Sequence, residues 1–151
     1  KLKLPSMMLN DIKKSKLVEK IYNKINNLKP SVLIIPFIGD VHSDHRTISD
    51  AIISSIKSFK TPYIQKILMM EVLSETEQNI NPFIKKFDPN YFVDISKYIK
   101  NKTQAFKIYK SEVQKTNQPR NLINIKALSK VRGAQINTRY AEAFMVLRIK
   151  N

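Results

Sequence analysis

Between Asp11 and Leu28 the apolar residues Ile12, Leu17, Val18, Ile21, Ile25 and Leu28 recur at the spacing of one helix face, with mostly Lys and Asn at the other positions. The pattern predicts an amphipathic helix that Lys29-Pro30 ends. The period then changes. Val32-Leu33-Ile34-Ile35-Pro36-Phe37-Ile38 is continuously apolar between Pro30 and Gly39, which predicts a strand buried on both faces, although Pro36 has no N–H to give to a ladder. Ser43 is the expected cap of a second helix running to about Phe59. Its inner face is Ile48, Ala51, Ile52, Ile56 and Phe59, interrupted by Ser55.

Lys66 to Leu73 reads as a second strand and Tyr91 to Ile95 as a short third element. Ser96 to Lys115 reads as a helix with Tyr98, Phe106 and Tyr109 in the core, and Leu122 to Gln135 as another that ends near Gly133. The tail Ala143 to Leu147 suits a strand or a helix. Strands alternating with helices predict an α/β layer fold, a mostly parallel sheet flanked by helices in one domain over residues 1–151.

Composition narrows the chemistry. Among 151 residues there is no cysteine, which excludes a disulfide framework, a cysteine nucleophile and thiolate metal sites, and suits a reducing, cytoplasmic setting. Two glycines leave no room for a P-loop or a dinucleotide fingerprint. Twenty-seven basic against 12 acidic residues give a net charge of +15, enough to attract nucleic acid or acidic surfaces. The lysines are scattered, with no basic stripe interleaved with aromatics, so only nonspecific, salt-sensitive nucleic-acid binding is expected. No apolar run approaches the roughly 20 residues that cross a bilayer, and Lys1 to Pro5 lacks the apolar stretch of a signal peptide.

The two histidines of the chain stand together in His42-Ser43-Asp44-His45, after the apolar strand and at the expected start of a helix. Ligands of open α/β sheets bind outside the carboxyl ends of strands, so this is where a site is expected. One imidazole can hold a metal while the other faces substrate, oriented by the carboxylate between them. The same residues also fit a surface turn with Ser43 as cap and both rings solvated. Two histidines alone fall short of the three protein ligands of a catalytic zinc.

Pro36 followed by Asp40-Val41-His42-Ser43-Asp44-His45-Arg46 resembles the second signature of the LmbE/PIG-L family of zinc-dependent N-deacetylases, His-Pro-Asp-His-Arg after a buried strand. Glu71 to Glu77, Phe87 to Ile95, Arg132-Gly133 and Tyr140 to Phe144 resemble further pieces of the family in order. The resemblance implies a Rossmann-like domain that removes an N-acetyl group from an amino-sugar conjugate. It implies zinc held by two histidines and an aspartate, with His45 as one ligand. His42 is then placed to stabilise the oxyanion or protonate the leaving amine, with Asp44 orienting it and Arg46 a candidate substrate contact.

The family's first signature, Ala-His-Pro-Asp-Asp-Glu, which supplies the other ligands and the general base, does not occur here. The expectation is therefore an N-terminally truncated domain, inactive alone, whose partner is the missing segment. The competing expectation is a noncatalytic binding module, either a degenerate family member or a basic nucleic-acid binder. Asp40 reads as a turn residue that could help shape the site. Glu75 and Glu77 read as solvated loop, and Arg132 and Glu142 as paired or binding residues.

Overall fold

The computed structural model describes residues 2–150. Backbone contacts divide the chain into two units, Lys1–Asp88 with Met145–Asn151, and Pro89–Phe144.

In the first unit, helix α1 (Lys14–Leu28) buries Leu17, Ile21 and Ile25, three positions four residues apart and hence on one face. It starts later than the periodicity predicts because a 3-10 turn, Leu9–Asp11, precedes it. It ends at Lys29, whose left-handed backbone (φ 45°) returns its N–H to the Ile25 carbonyl at 2.8 Å. Strand β1 (Val32–Pro36) pairs in parallel with β2 (Lys66–Met70), from Val32 opposite Lys66 to Pro36 opposite Met70. Helix α2 (Ser43–Ser55) lies between them in sequence as the crossover that parallel strands require.

The Leu17, Ile21 and Ile25 face meets Ala51, Ile56, Ile64 and Ile67 in one core cluster, and a second cluster joins Ile35, Phe37 and Met69. Phe37 and Phe87 meet edge to face, ring centroids 5.4 Å apart. Two expectations are corrected here. β1 is not buried on both faces, because Val32 and Ile34 remain 46% and 49% exposed. It is an edge strand with one neighbour. Helix α2 stops at Ser55, so Phe59 lies beyond it and is exposed. Ser55, which reads as an interruption, is buried with its hydroxyl on the Ile52 carbonyl at 2.7 Å. Buried Ser49 likewise donates to the Pro36 carbonyl at 2.7 Å and ties α2 to the end of β1.

In the second unit, β3 (Tyr91–Asp94) pairs antiparallel with the first half of β4 (Ala141–Ile149), Tyr91 opposite Phe144 and Asp94 opposite Ala141. The hydrogen-bonded order of the strands is β1-β2-β4-β3; β1–β2 is parallel and β3–β4 antiparallel, so the fold is mixed α/β in class without being shown as mostly parallel. The ambiguous tail is thus a strand. Helix α3 spans only Ile99–Ile108 and buries none of its residues. Tyr98 and Tyr109, expected in the core, flank the helix and are exposed, as is Ile108 within it, because α3 packs no face into a core.

Helix α4 (Leu122–Ala134) is capped by the Asn121 side chain, which accepts from the Asn124 N–H at 2.9 Å. It buries Ile125, Ser129 and Gly133. At Gly133 a Cβ would lie 2.6 Å from the Thr138 carbonyl oxygen and 2.8 Å from the Tyr140 nitrogen. That close approach of backbone explains the glycine. Among the described residues no helix is long and apolar enough to cross a membrane.

Candidate functional site

The carboxyl end of β1 leads through Phe37 to Val41 into the first turn of α2, and every side chain of interest lies within a few residues of that junction. Asp40 is wholly buried. Its N–H donates to the Phe37 carbonyl at 3.1 Å, which turns the chain and aims the carboxylate inward. A buried carboxylate is tolerated only when its oxygens are satisfied, and both are. The Thr76 hydroxyl donates to Oδ1 at 2.6 Å, and Oδ2 lies 2.8 Å from Nδ1 of His45.

Thr76 is fixed in turn. Its Oγ1 accepts from the Val72 N–H at 2.8 Å, its own N–H donates to the Val72 carbonyl, and the Val41 N–H donates to the neighbouring Glu75 carbonyl. The segment after β2 therefore clamps the segment after β1 through one main-chain bond, Val41 to Glu75, and one side-chain bond, Thr76 to Asp40. Glu75, expected in a solvated loop, is 9% exposed, and its carboxylate accepts from the Ser74 hydroxyl at 2.9 Å.

Because an ionised carboxylate only accepts, His45 donates from Nδ1 to Asp40, and in the neutral ring Nε2 is then the acceptor, on a side chain that is 25% exposed. An imidazole backed by a buried carboxylate has its tautomer and orientation set. His42 has the opposite tautomer. It is the N-cap of α2, and its Nδ1 accepts from the Asp44 N–H at 3.1 Å, so the proton stays on Nε2 as a donor. The rings stack with centroids 4.7 Å apart and 16° between their planes. One acceptor and one donor of proton-transfer type thus stand side by side.

The remaining residues take roles that spacing alone does not reveal. His42, not Ser43, caps the helix. The Asp44 carboxylate does not touch His42. It accepts from the backbone N–H groups of Met7 and Leu9 at 2.6 and 3.1 Å, which pins the 3-10 turn over the start of α2. Arg46 Nη1 donates to the Asp40 carbonyl at 2.9 Å and to that of Val41, so it braces the turn. Arg132 bonds Gln135 at 3.1 Å on the surface, and Glu142 pairs with Lys102 at 2.6 Å. Asp40 is the functional residue that sequence reasoning underrates. Its signal was a carboxylate five residues before a histidine at the end of an apolar strand.

His45 offers the donor that zinc takes, an imidazole with a carboxylate behind it. Among the described residues, however, no three His, Cys, Asp or Glu side chains are grouped so as to hold a metal ion. These residues do not by themselves fit a zinc site.

No family profile matches the chain. Solved structures do resemble it. One is a conserved protein of Thermus thermophilus, with TM-score 0.70 and 22% identity over 94% of this chain and 62% of the other. Another is the N,N'-diacetylchitobiose deacetylase of Pyrococcus horikoshii, solved with an inhibitor, with TM-score 0.55 and 17% identity over 97% of this chain and 54% of the other. The chain thus spans less than two thirds of either protein. At such identities the likeness concerns the backbone alone: the protein has a Rossmann-like α/β fold.

Proposed function

We propose that the protein is a zinc-dependent N-deacetylase of the LmbE/PIG-L kind, hydrolysing the N-acetyl group of an amino-sugar conjugate, and that these 151 residues hold one part of its site. The observation that carries the reading is the Asp40–His45 pair beside the oppositely protonated His42, at the strand end where such a fold places ligands. The fold shared with a deacetylase supports it.

In this reading His45 presents Nε2 as one ligand to zinc, and the other ligands and the general base come from outside these residues. His42 directs its Nε2–H at the amide being cleaved. A donor fixed there by the helix cap favours the oxyanion because that charge develops only in the transition state. The same proton can pass to the leaving nitrogen. Asp40 and Thr76 position His45, and Arg46 holds the turn that carries both rings.

A second reading, a noncatalytic member of the same fold, is favoured by one observation: the Asp44 carboxylate is bound to Met7 and Leu9 rather than to His42. Acetate release from N-acetylglucosamine conjugates, with zinc content measured on the same samples, separates the two. The whole protein is expected to carry one zinc and release acetate, and the 151-residue chain alone to hold zinc weakly and release none. A whole protein with neither zinc nor turnover overturns the enzyme reading, and turnover by the isolated chain overturns the shared site.

A further inference from the structure

We propose that the groove between α3 and α4 binds the phosphate group of a small anionic ligand. Lys107 in the last turn of α3 and Lys126 and Lys130, one turn apart on α4, converge on one cavity of about 570 Å³. Leu122, Ile123 and Ala127 are its apolar lining, and Thr103 adds a hydroxyl. The groove is open to solvent, and its lining of apolar side chains with a few polar groups is of the kind that orients a small ligand.

The charge there is unbalanced. Among the described residues none of the three ammonium groups has an ion-pair partner. Pro89–Phe144 contains eleven basic residues against three acidic ones, and all three carboxylates are engaged elsewhere: Asp94 with the Ser96 N–H, Glu112 with Arg120, and Glu142 with Lys102. Lys126 and Lys130, like charges four apart on a helix, oppose its formation. A multiply charged anion seated among the three relieves that repulsion. Single-stranded nucleic acid calls instead for a charged track with exposed stacking aromatics, and a duplex for a run of cations spaced along its phosphates. The one aromatic side chain in this cavity, Tyr140, is 7% exposed. The geometry therefore favours a small ligand over a polymer.

Titration of the full chain with pyrophosphate, followed by NMR of backbone amides, tests the site. Saturable shifts are expected in residues 103–107 and 122–130. Lys107→Gln, Lys126→Gln and Lys130→Gln together are expected to weaken binding at least tenfold. Lys16→Gln, Lys20→Gln and Lys24→Gln, the same loss of charge on the exposed face of α1, should change it less than twofold. Ala127→Glu, which puts a carboxylate among the three lysines, should abolish it. Equal losses in the two triple variants, or shifts spread over the whole chain, overturn the proposal. So does an oligonucleotide that binds these residues while pyrophosphate does not saturate, which would make the surface a nucleic-acid site.

Discussion

The two units of the chain handle charge in opposite ways. In the first, Asp40 is withdrawn from water altogether and its oxygens are satisfied by the Thr76 hydroxyl and the His45 ring. In the second, Glu112 and Glu142 sit 44% and 37% exposed, each beside a single cation at 2.6 Å. Exposed pairs of that kind contribute about 0–1 kcal/mol. A buried carboxylate cannot lose one partner without a penalty of several times that. The cores differ in the same sense. α1 buries a complete face, whereas α3 buries no residue. Holding one imidazole in one tautomer requires a packed, dry surround, while drawing in an anion requires only charges that remain in water.

The largest effects should be confined to the first unit and to turnover. On the proposed deacetylase reading, His45→Ala in the whole protein is expected to remove the metal and all measurable acetate release. His42→Ala should keep the metal and lose about 10²–10⁴-fold in rate, the range for a proton donor. Metal analysis beside rates checks this, and equal metal loss in both variants would merge the two roles.

Stability should separate the units next. Ile21→Ala, which empties part of the buried α1 face, is expected to cost about 3 kcal/mol by urea unfolding. Ile108→Ala, at a position 78% exposed, should stay within about 0.5 kcal/mol. Similar values for both would erase the contrast in packing.

The contrast between carboxylates is sharpened by a smaller effect. Asp40→Asn keeps the volume but puts an amide where the acceptor for Thr76 and His45 stands, and should cost about 2 kcal/mol in unfolding experiments. Glu142→Gln should cost less than about 1 kcal/mol. An effect about half that of Asp40→Asn tests whether the second unit has any tight point of its own. Gly133→Ala ordinarily favours a helix, but with backbone atoms at 2.6–2.9 Å from the new methyl it is expected to destabilise by about 1 kcal/mol. A stabilised variant would show that the Thr138–Tyr140 turn yields freely.

The reading of single elements succeeded where local periodicity and burial agree. Leu17, Ile21 and Ile25 are buried as their spacing requires, and α4 ends where Gly133 suggested. It failed where apolar residues were assumed to be inside. Val32 and Ile34 belong to an apolar run, yet an edge strand leaves them half in water. Tyr98 and Tyr109 match a helical stripe, yet they lie outside the helix. In the site, the pairing of His42 with His45 was legible from three-residue spacing at a helix start. Asp40 was not, because an aspartate after glycine looks like a turn residue whether its carboxylate faces water or the core.

By itself the sequence determined the α/β class, the order of helices and strands up to the tail, and the place of the histidines after the first strand, because hydrophobic period and capping residues are local properties of the chain. Only the tertiary structure decided which carboxylate holds which ring. Asp44, adjacent in sequence, bonds backbone 35 and 37 residues away, and His45 takes Asp40, which Thr76 fixes from 36 residues further on. The reason is physical: hydrogen-bond partners are chosen by distance and desolvation after β1, β2 and α2 have packed.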